Sequence, residues 1–465
     1  MKDNTEINKL NETVIKGGYC VGCGVCATVK NSPFEVKFDE FAKLQATIKE
    51  GASLEDDVEV LKLCPFSDES ENEDEIGKGL FGDTNVKHDK LGYINSTYAG
   101  HVDEESFRDN GSSGGMGSWV LTELLRQNLV DGIIHVKPSE GDVLFKYTIS
   151  RTTEEISQGS SSRYYPIEMS EVISLIKEKA GRYAIVGLPC FIKSIRLLAK
   201  QDAVINERIK FCIGLVCGHL KSAHFGSMWG WQLGVHPDDL EKINFRHKLD
   251  NNNASKYGVS VLSKDDDNEI ISPPLNELYG ANWGWGFFKY QACDYCDDVV
   301  GETADISIGD AWLPEYVKDS KGTNVIVVRD KTISRLIEKA RVEKKLHFDE
   351  ITPEKVVQSQ SSGFNHRREG LAYRLQLKDK NNEWRPEKRV SPNADHLSKK
   401  IQLRQELRMD LANQSHVAFQ EALKNGQFSL FKNRMNSIVK VYEQTYKITL
   451  LRKVFNRLKK TLNKI

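Results

Sequence analysis

The chain has no excess of charge of either sign: 65 Lys and Arg stand against 66 Asp and Glu, a formal net charge of -1. Without a basic surplus no overall field draws nucleic acid, and that class of partner is set aside. Long hydrophobic runs are missing too. The start of the chain, Met1-Lys-Asp-Asn-Thr-Glu6, lacks the apolar core of a signal peptide, and no stretch approaches the roughly 20 apolar residues that a membrane helix needs. A cytoplasmic protein is expected. Cysteine is scarce as well. Nine in 465 residues are too few for a disulfide framework, yet they are too clustered to be incidental core residues. Metal or redox chemistry in a reducing compartment accounts for them better.

What is present starts with Cys20-Val-Gly-Cys23-Gly-Val-Cys26, followed by Cys64-Pro65. Three cysteines at every third position let one tight loop hold three corners of an iron-sulfur cube, and a later Cys-Pro supplies the fourth. Gly22 and Gly24 allow the backbone to curl and bring N–H groups near the sulfurs. A zinc site usually uses two separated C-x-x-C pairs. The spacing therefore predicts a 4Fe-4S cluster on Cys20, Cys23, Cys26 and Cys64.

Residues 1–67 read as a small cluster-binding module, and the acid-dense run Asp68 to Glu75 opens a solvated linker over 68–92. An acidic docking patch for a redox partner is the other reading of that run. From 93 to 345 short strands alternate with helices. Strands are expected at Gly132–Val136, Val143–Ile149, Tyr183–Gly187, Ile209–Val216, Ala304–Gly309 and Asn324–Val328, with helices between them. This recurrence predicts an α/β core with a mixed, partly parallel sheet. Residues 346–465 read as a mostly helical extension, and no internal repeat stands out. After Glu443 the chain has no acid but seven basic residues, with apolar residues at helical spacing from Leu451 to Ile465. Such a tail suits peripheral contact with the inner membrane face, or a helix packed on its own protein.

A second cysteine set is spread through the core: Cys190, Cys212, Cys217 and the pair Cys293-Asp-Tyr-Cys296. Strand alternation places Cys212 inside an apolar run as a buried thiol. The candidate ligands are Cys190, Cys217, Cys293 and Cys296. Spacing leaves buried thiols equally open for them, because only the C-x-x-C pair is diagnostic. The segment Arg108-Asp-Asn-Gly-Ser-Ser113-Gly114-Gly115-Met-Gly-Ser118 precedes a helix. It offers backbone N–H groups to an anion such as a pyrophosphate, or simply turns the chain and caps the helix.

In this order the motifs resemble the beta-subunit family of the hydrogenases and dehydrogenases that use the deazaflavin coenzyme F(420). That family includes chlorophyll-cycle reductases and bacterial proteins encoded beside surface-polysaccharide genes. Further matches are Leu129-Val-Asp-Gly132, Ser162-Arg163-Tyr164, Pro189-Cys190, Phe245-Arg246 with Lys248, and Gly309-Asp-Ala-Trp312. The resemblance covers about residues 15–345 and implies a ferredoxin-like module at the N-terminus, a second 4Fe-4S cluster on the core cysteines, and FAD. It implies cofactor contacts from Arg108, Ser113, Gly114, Gly115, Ser118, Ser162, Arg163, Tyr164, Arg246 and Lys248. A relay is expected between ferredoxin or another one-electron donor or acceptor, the two clusters and FAD. An organic substrate, in surface-polysaccharide synthesis, or the deazaflavin coenzyme would be reduced or oxidised. The alternative is an electron-transfer subunit of a hydrogenase-like or dehydrogenase-like complex. His219, His224 and His247 are candidate proton donors, but none is assigned, and no catalytic residue is named. Leu188 stands where the family commonly has a small hydroxyl residue. A zinc-stapled binding protein is the non-redox reading.

Overall fold

In the computed structural model, which describes residues 5–54, 58–249 and 252–447, neighbouring core residues point to opposite faces of one sheet. Ile134, Ile185 and Cys212 pack on one side, and Ile133, Ala184, Phe211 and Ile213 on the other. Strands with two buried faces are the expected outcome of these near-continuous apolar runs.

Among the described residues, β1 (Phe34–Phe38) and β2 (Leu44–Ile48) form an N-terminal hairpin, and β3 (Val86–His88) and β4 (Gly92–Ile94) a short ribbon. The central strands begin with β5 (Ser96–Val102), β6 (Gly132–Pro138), β7 (Phe145–Ser150), β8 (Tyr183–Gly187) and β9 (Ile209–Leu215). A separate three-stranded sheet of β10 (Leu240–His247), β11 (Gly258–Ser263) and β12 (Ile270–Ile271) follows. Then come β13 (Ile306–Asp310), β14 (Asn324–Val328) and β15 (Leu346–Glu350). The main sheet has eight strands in the order β15-β5-β14-β13-β9-β8-β6-β7. Its inner strands β13, β9, β8 and β6 are parallel, and the remaining pairs are antiparallel. The mixed, partly parallel sheet expected from the strand-helix recurrence is therefore present. Strand β15, which alternates buried and exposed residues, and the β10–β11–β12 sheet are additional to the strands expected above.

Helices Met116–Arg126 and Lys331–Val342 cover one face through Trp119, Val120, Ile333 and Ile337. Helices Ser170–Glu178 and Pro189–Gln201 cover the other, together with Ile7, Leu10, Val21 and Phe34 of the N-terminal region. Leu371 and Leu375, from the helix Gly370–Lys380, enter that same core. Two long helices, Lys399–Lys424 and Phe428–Gln444, form a C-terminal pair over Phe225, Trp229, Phe287 and Phe288.

The acid run is not a solvated connector throughout. Glu73–Phe81 is a helix started by an Asn72/Glu75 capping box, and Glu73 is only 8% exposed. Its charge is met by Lys193 at 3.3 Å and Arg389 at 3.4 Å. No helix among the described residues is long and apolar enough to cross a membrane. The basic tail, placed from Leu451 onward, lies outside the described residues.

Candidate functional site

Parallel strands deliver the loops that follow them to one edge of the sheet, and the site is assembled there. The end of β8 leads through Gly187 into Pro189 and Cys190 at the start of a helix. The end of β9 leads to Cys217, and β13 ends at Asp310. Strand β5 runs in the same direction as β13, because each is antiparallel to β14. The glycine-serine loop after β5 thus joins the same edge.

Cys20, Cys23, Cys26 and Cys64 line one pocket whose other walls include Leu10, Val14, Val25, Leu63 and Phe66. Gly22 and Gly24 both adopt positive φ, +65° and +84°. A Cβ on Gly22 would come within 2.3 Å of the Leu44 carbonyl oxygen, and one on Gly24 within 2.5 Å of Glu168 Oε2. The tight loop therefore requires glycine at both positions. Cys20 Sγ accepts from the backbone N–H groups of Gly22 and Ala46, each at 3.4 Å. Burial pushes the Cys23 thiol up to about 11 and the Cys64 thiol up to about 12. Thiols so placed become thiolates only beside strong positive charge, and Cys26, besides its burial, feels the charges of Cys23, Cys20 and Cys64. Four cysteines lining one apolar pocket, with backbone donors to Cys20, fit an iron-sulfur cluster as a donor set. No three His, Cys, Asp or Glu side chains among the described residues stand as a group that could hold a metal ion. The fit to a cluster rests on the loop, the pocket and the donor chemistry.

Cys190, Cys217, Cys293 and Cys296 are brought together from separate places in the chain. Burial, and after it the charges of Cys296, Cys217, Cys293 and, from the first set, Cys23, push the Cys190 thiol well up, so these sulfurs lie within electrostatic reach of it. Cys293 Sγ accepts from the Leu220 N–H at 3.2 Å. Cys212 stays in the packed core, fully buried, as its alternation implied. Arg367 carries no spacing signal in the sequence, yet its guanidinium reaches this set. Its Nη1 donates to Cys296 Sγ at 2.7 Å and its Nη2 to Cys217 Sγ at 3.4 Å. Burial opposes its charge, but Cys296, Cys217 and Cys293 hold its pKa well above the ordinary arginine value.

The expected cofactor contacts gather at the same sheet edge. A second pocket is lined by Ser112, Arg246, Lys248, Tyr257 and Gly322 among others. Lys248 Nζ donates to the Arg108 carbonyl at 2.5 Å, and burial, reinforced by the Arg108 charge, brings its pKa down to about 8. Arg246 pairs with Asp310 at 3.1 Å and lies over the Tyr257 ring. Two serine pairs, Ser112 with Ser162 at 2.9 Å and Ser118 with Ser160 at 3.0 Å, join the 160–162 turn to the glycine loop. Arg163 donates to the Ser160 carbonyl and stacks over Phe145, so it braces that turn.

Several of the expected residues are committed elsewhere. Ser113 Oγ donates to the Thr323 carbonyl at 3.1 Å. A Cβ on Gly114 would meet Asn324 N and the Gly100 oxygen at 2.8 Å, and Gly115 has φ +87°. These glycines allow the loop to pack on β5 and β14. The first helical N–H, on Met116, is capped by Asn324 Oδ1 at 3.0 Å. Ser112, which the sequence motif does not distinguish from its neighbour Ser113, is the loop hydroxyl that lines the pocket. Arg108 is held by Asp319 and Gly322. Tyr164 packs against Trp283, whose ring also stacks on His219 at 4.4 Å. Burial keeps His219 and His224 below the usual histidine range, so both are neutral imidazoles near neutral pH.

Two family models of the beta subunit of coenzyme F(420) hydrogenase/dehydrogenase match the chain, the N-terminal one over residues 97–174 and the C-terminal one over residues 180–354. A component of the F(420)H(2) dehydrogenase of Methanosarcina mazei is 26% identical over 272 residues, 53% of this chain and 71% of that one. The coenzyme F(420)-dependent sulfite reductase of Methanocaldococcus jannaschii is 23% identical over 360 residues; these are 74% of this chain but 49% of the reductase. A chain from the F(420)-reducing [NiFe] hydrogenase complex of Methanosarcina barkeri superposes with a TM-score of 0.49 at 15% identity. It covers 65% of this chain and 99% of its own.

Proposed function

The chain belongs to the coenzyme F(420) hydrogenase/dehydrogenase beta-subunit family, and from that premise we propose that it is an iron-sulfur flavoprotein oxidoreductase. It would link a one-electron donor or acceptor such as ferredoxin to a two-electron change in an organic substrate. When bound, the two clusters would pass electrons singly and the FAD would exchange them in pairs. The observation that carries this reading is the meeting of two cysteine sets, through Cys190 and Cys23, at a sheet edge that also carries a pocket presenting Arg246 and Lys248.

Each part of the chain has a definite task in this reading. Cys20, Cys23, Cys26 and Cys64 hold the outer cluster, and Cys190, Cys217, Cys293 and Cys296 the inner one. Lys248, Arg246 and the Ser112 hydroxyl receive the negatively charged phosphates of the cofactor. Tyr164 and Trp283 supply aromatic surface next to His219, with Phe225 and Phe245 packed edge-on against Tyr164. The names of the relatives favour a second reading, in which the chain feeds electrons to a partner that handles the deazaflavin coenzyme. A role with surface polysaccharide is the form of the first reading in which the substrate is a glycan precursor.

Protein purified without oxygen tests the proposal through its iron, acid-labile sulfide and flavin content. About eight iron atoms and one FAD per chain are expected. Zinc in place of iron, with no flavin absorption, would overturn it. Native mass spectrometry separates the two readings. A lone chain that turns over an organic substrate supports the first, and stable co-purification with a dehydrogenase-like partner supports the second.

A further inference from the structure

Arg367 belongs to the part of the chain that neither family model reaches, since the matches end at residue 354. It sits in a single π-helical turn, Asn365–Glu369, inserted between the helices Ser361–Phe364 and Gly370–Lys380. Such one-turn insertions re-aim side chains and recur at functional sites. Here the turn points an arginine inward, where it is 2% exposed. Besides the two sulfurs, its guanidinium donates to the carbonyls of Asp298 at 2.6 Å and Gly218 at 2.8 Å. None of these four bonds goes to a carboxylate. The buried charge is therefore offset chiefly by the sulfurs of Cys296 and Cys217.

The outer set is built differently. Cys20 receives two backbone N–H groups, and among the described residues no arginine or lysine hydrogen bond reaches a sulfur of that set. The cation felt at Cys64, Lys193, is already paired with Glu73. Positive charge and hydrogen bonds to the sulfurs favour the reduced, more negative form of a cluster, and so raise its reduction potential.

We propose that Arg367 tunes the inner cluster, holding its reduction potential above that of the outer cluster, so that an electron shared between the two rests on the cluster of Cys190, Cys217, Cys293 and Cys296. The helical extension thereby takes part in the redox chemistry and sets the inward direction of electron flow, from the outer set toward the flavin pocket. This inference rests on the two-cluster reading above.

The test is a redox titration of the full-length, cluster-loaded protein followed by electron paramagnetic resonance, on wild type, R367K and R367Q. Two one-electron waves are expected in the wild type. In R367Q the upper wave should fall by at least 59 mV, a tenfold change in the sharing equilibrium for a one-electron couple. R367K, which keeps the charge but not the forked geometry, should restore part of that shift, and the lower wave should stay in place. A C20S variant, which removes a ligand of the outer cluster, should leave the upper wave. An upper wave that does not move in R367Q at full iron content overturns the inference, as does retention of the lower wave in C20S. If R367Q and R367K both lose iron, Arg367 is structural and the inference also fails. Wild-type protein with no cluster at all would overturn the preceding reading, and this one with it.

Discussion

Burial and the charge of Arg108 press on the Lys248 ammonium, bringing its pKa down to about 8. An anion in the adjoining pocket needs that ammonium protonated. Below about pH 8 the free protein already carries the charge; above it, binding must also take up a proton, so affinity should fall by up to tenfold per pH unit. FAD titrated calorimetrically into flavin-depleted protein should show that break. Lys248→Met should lose about tenfold or more in affinity at neutral pH, the scale of a charged hydrogen bond at roughly 1.5–3 kcal/mol, and should lose the break as well. In the ligand-free protein the sign for stability is opposite. Between about pH 8 and the ordinary lysine value the unfolded chain holds a proton that the folded state has shed, so this residue's penalty fades as pH rises. At this scale the sequence was legible where chemistry fixes spacing. The Cys20 to Cys26 loop and the Cys293/Cys296 pair announce themselves, whereas Ser112 and Arg367 do not, because a hydroxyl or a guanidinium has no diagnostic spacing. Ser113, chosen from the same motif, turned inward to Thr323.

Elements were legible where the apolar run was strong, as in β8, β9 and β14, and illegible where a distant partner decides the outcome. The run from Asp68 to Glu75 reads as solvated acid. Its helix is instead closed by Arg389, far along the chain, which reaches Asp74 at 3.0 Å, Asp297 at 3.1 Å and Glu302 at 2.6 Å. Replacing Arg389 with Met would leave Glu73, Asp297 and Glu302 buried without that partner. Breaking a buried pair from one side costs about 3–5 kcal/mol, and urea unfolding should show a loss of that size near neutral pH. Arg389 helps to hold the Glu73 and Asp297 carboxyls below the usual carboxylate range. A depressed carboxylate stabilises the fold above its unfolded pKa and stops doing so as pH falls through its folded value. The gap between wild type and variant should therefore narrow on acidification. The cluster loop makes a second prediction at this scale. Gly22→Ala forces a Cβ against the Leu44 carbonyl at positive φ, and the outer cluster should be lost. Iron should drop from about eight to about four atoms per chain, with the flavin retained.

At the level of the whole molecule, the helical extension is a wall of the proposed redox site. Its composition hid this, since its buried residues include His366, Arg367, Arg374 and Gln405, a set that reads from sequence as a polar surface. Their partners are supplied by the core: Arg374 donates to the Asp294 carbonyl at 2.8 Å and, within the extension, to Gln405 at 2.6 Å. Asp294 in turn pairs with the buried Lys289 at 2.5 Å. Asp294 lies between Cys293 and Cys296, so the extension fixes the segment that bears two of the four proposed inner ligands. Leu371 and Leu375 also complete the core that contains Ile7 and Leu10 of the N-terminal region. A chain ended at Thr352 removes all of these contacts at once. It would expose the Cys217, Cys293 and Cys296 region to water and leave Asp294 facing Lys289 without Arg374. Such a chain should bind at most about four iron atoms and lose the higher-potential wave. A chain ended at Tyr446 keeps every contact named here and should retain full iron and flavin. Iron and sulfide analysis of the two truncations decides the matter: equal cluster content in both would mean that the inner site is built by the family core alone.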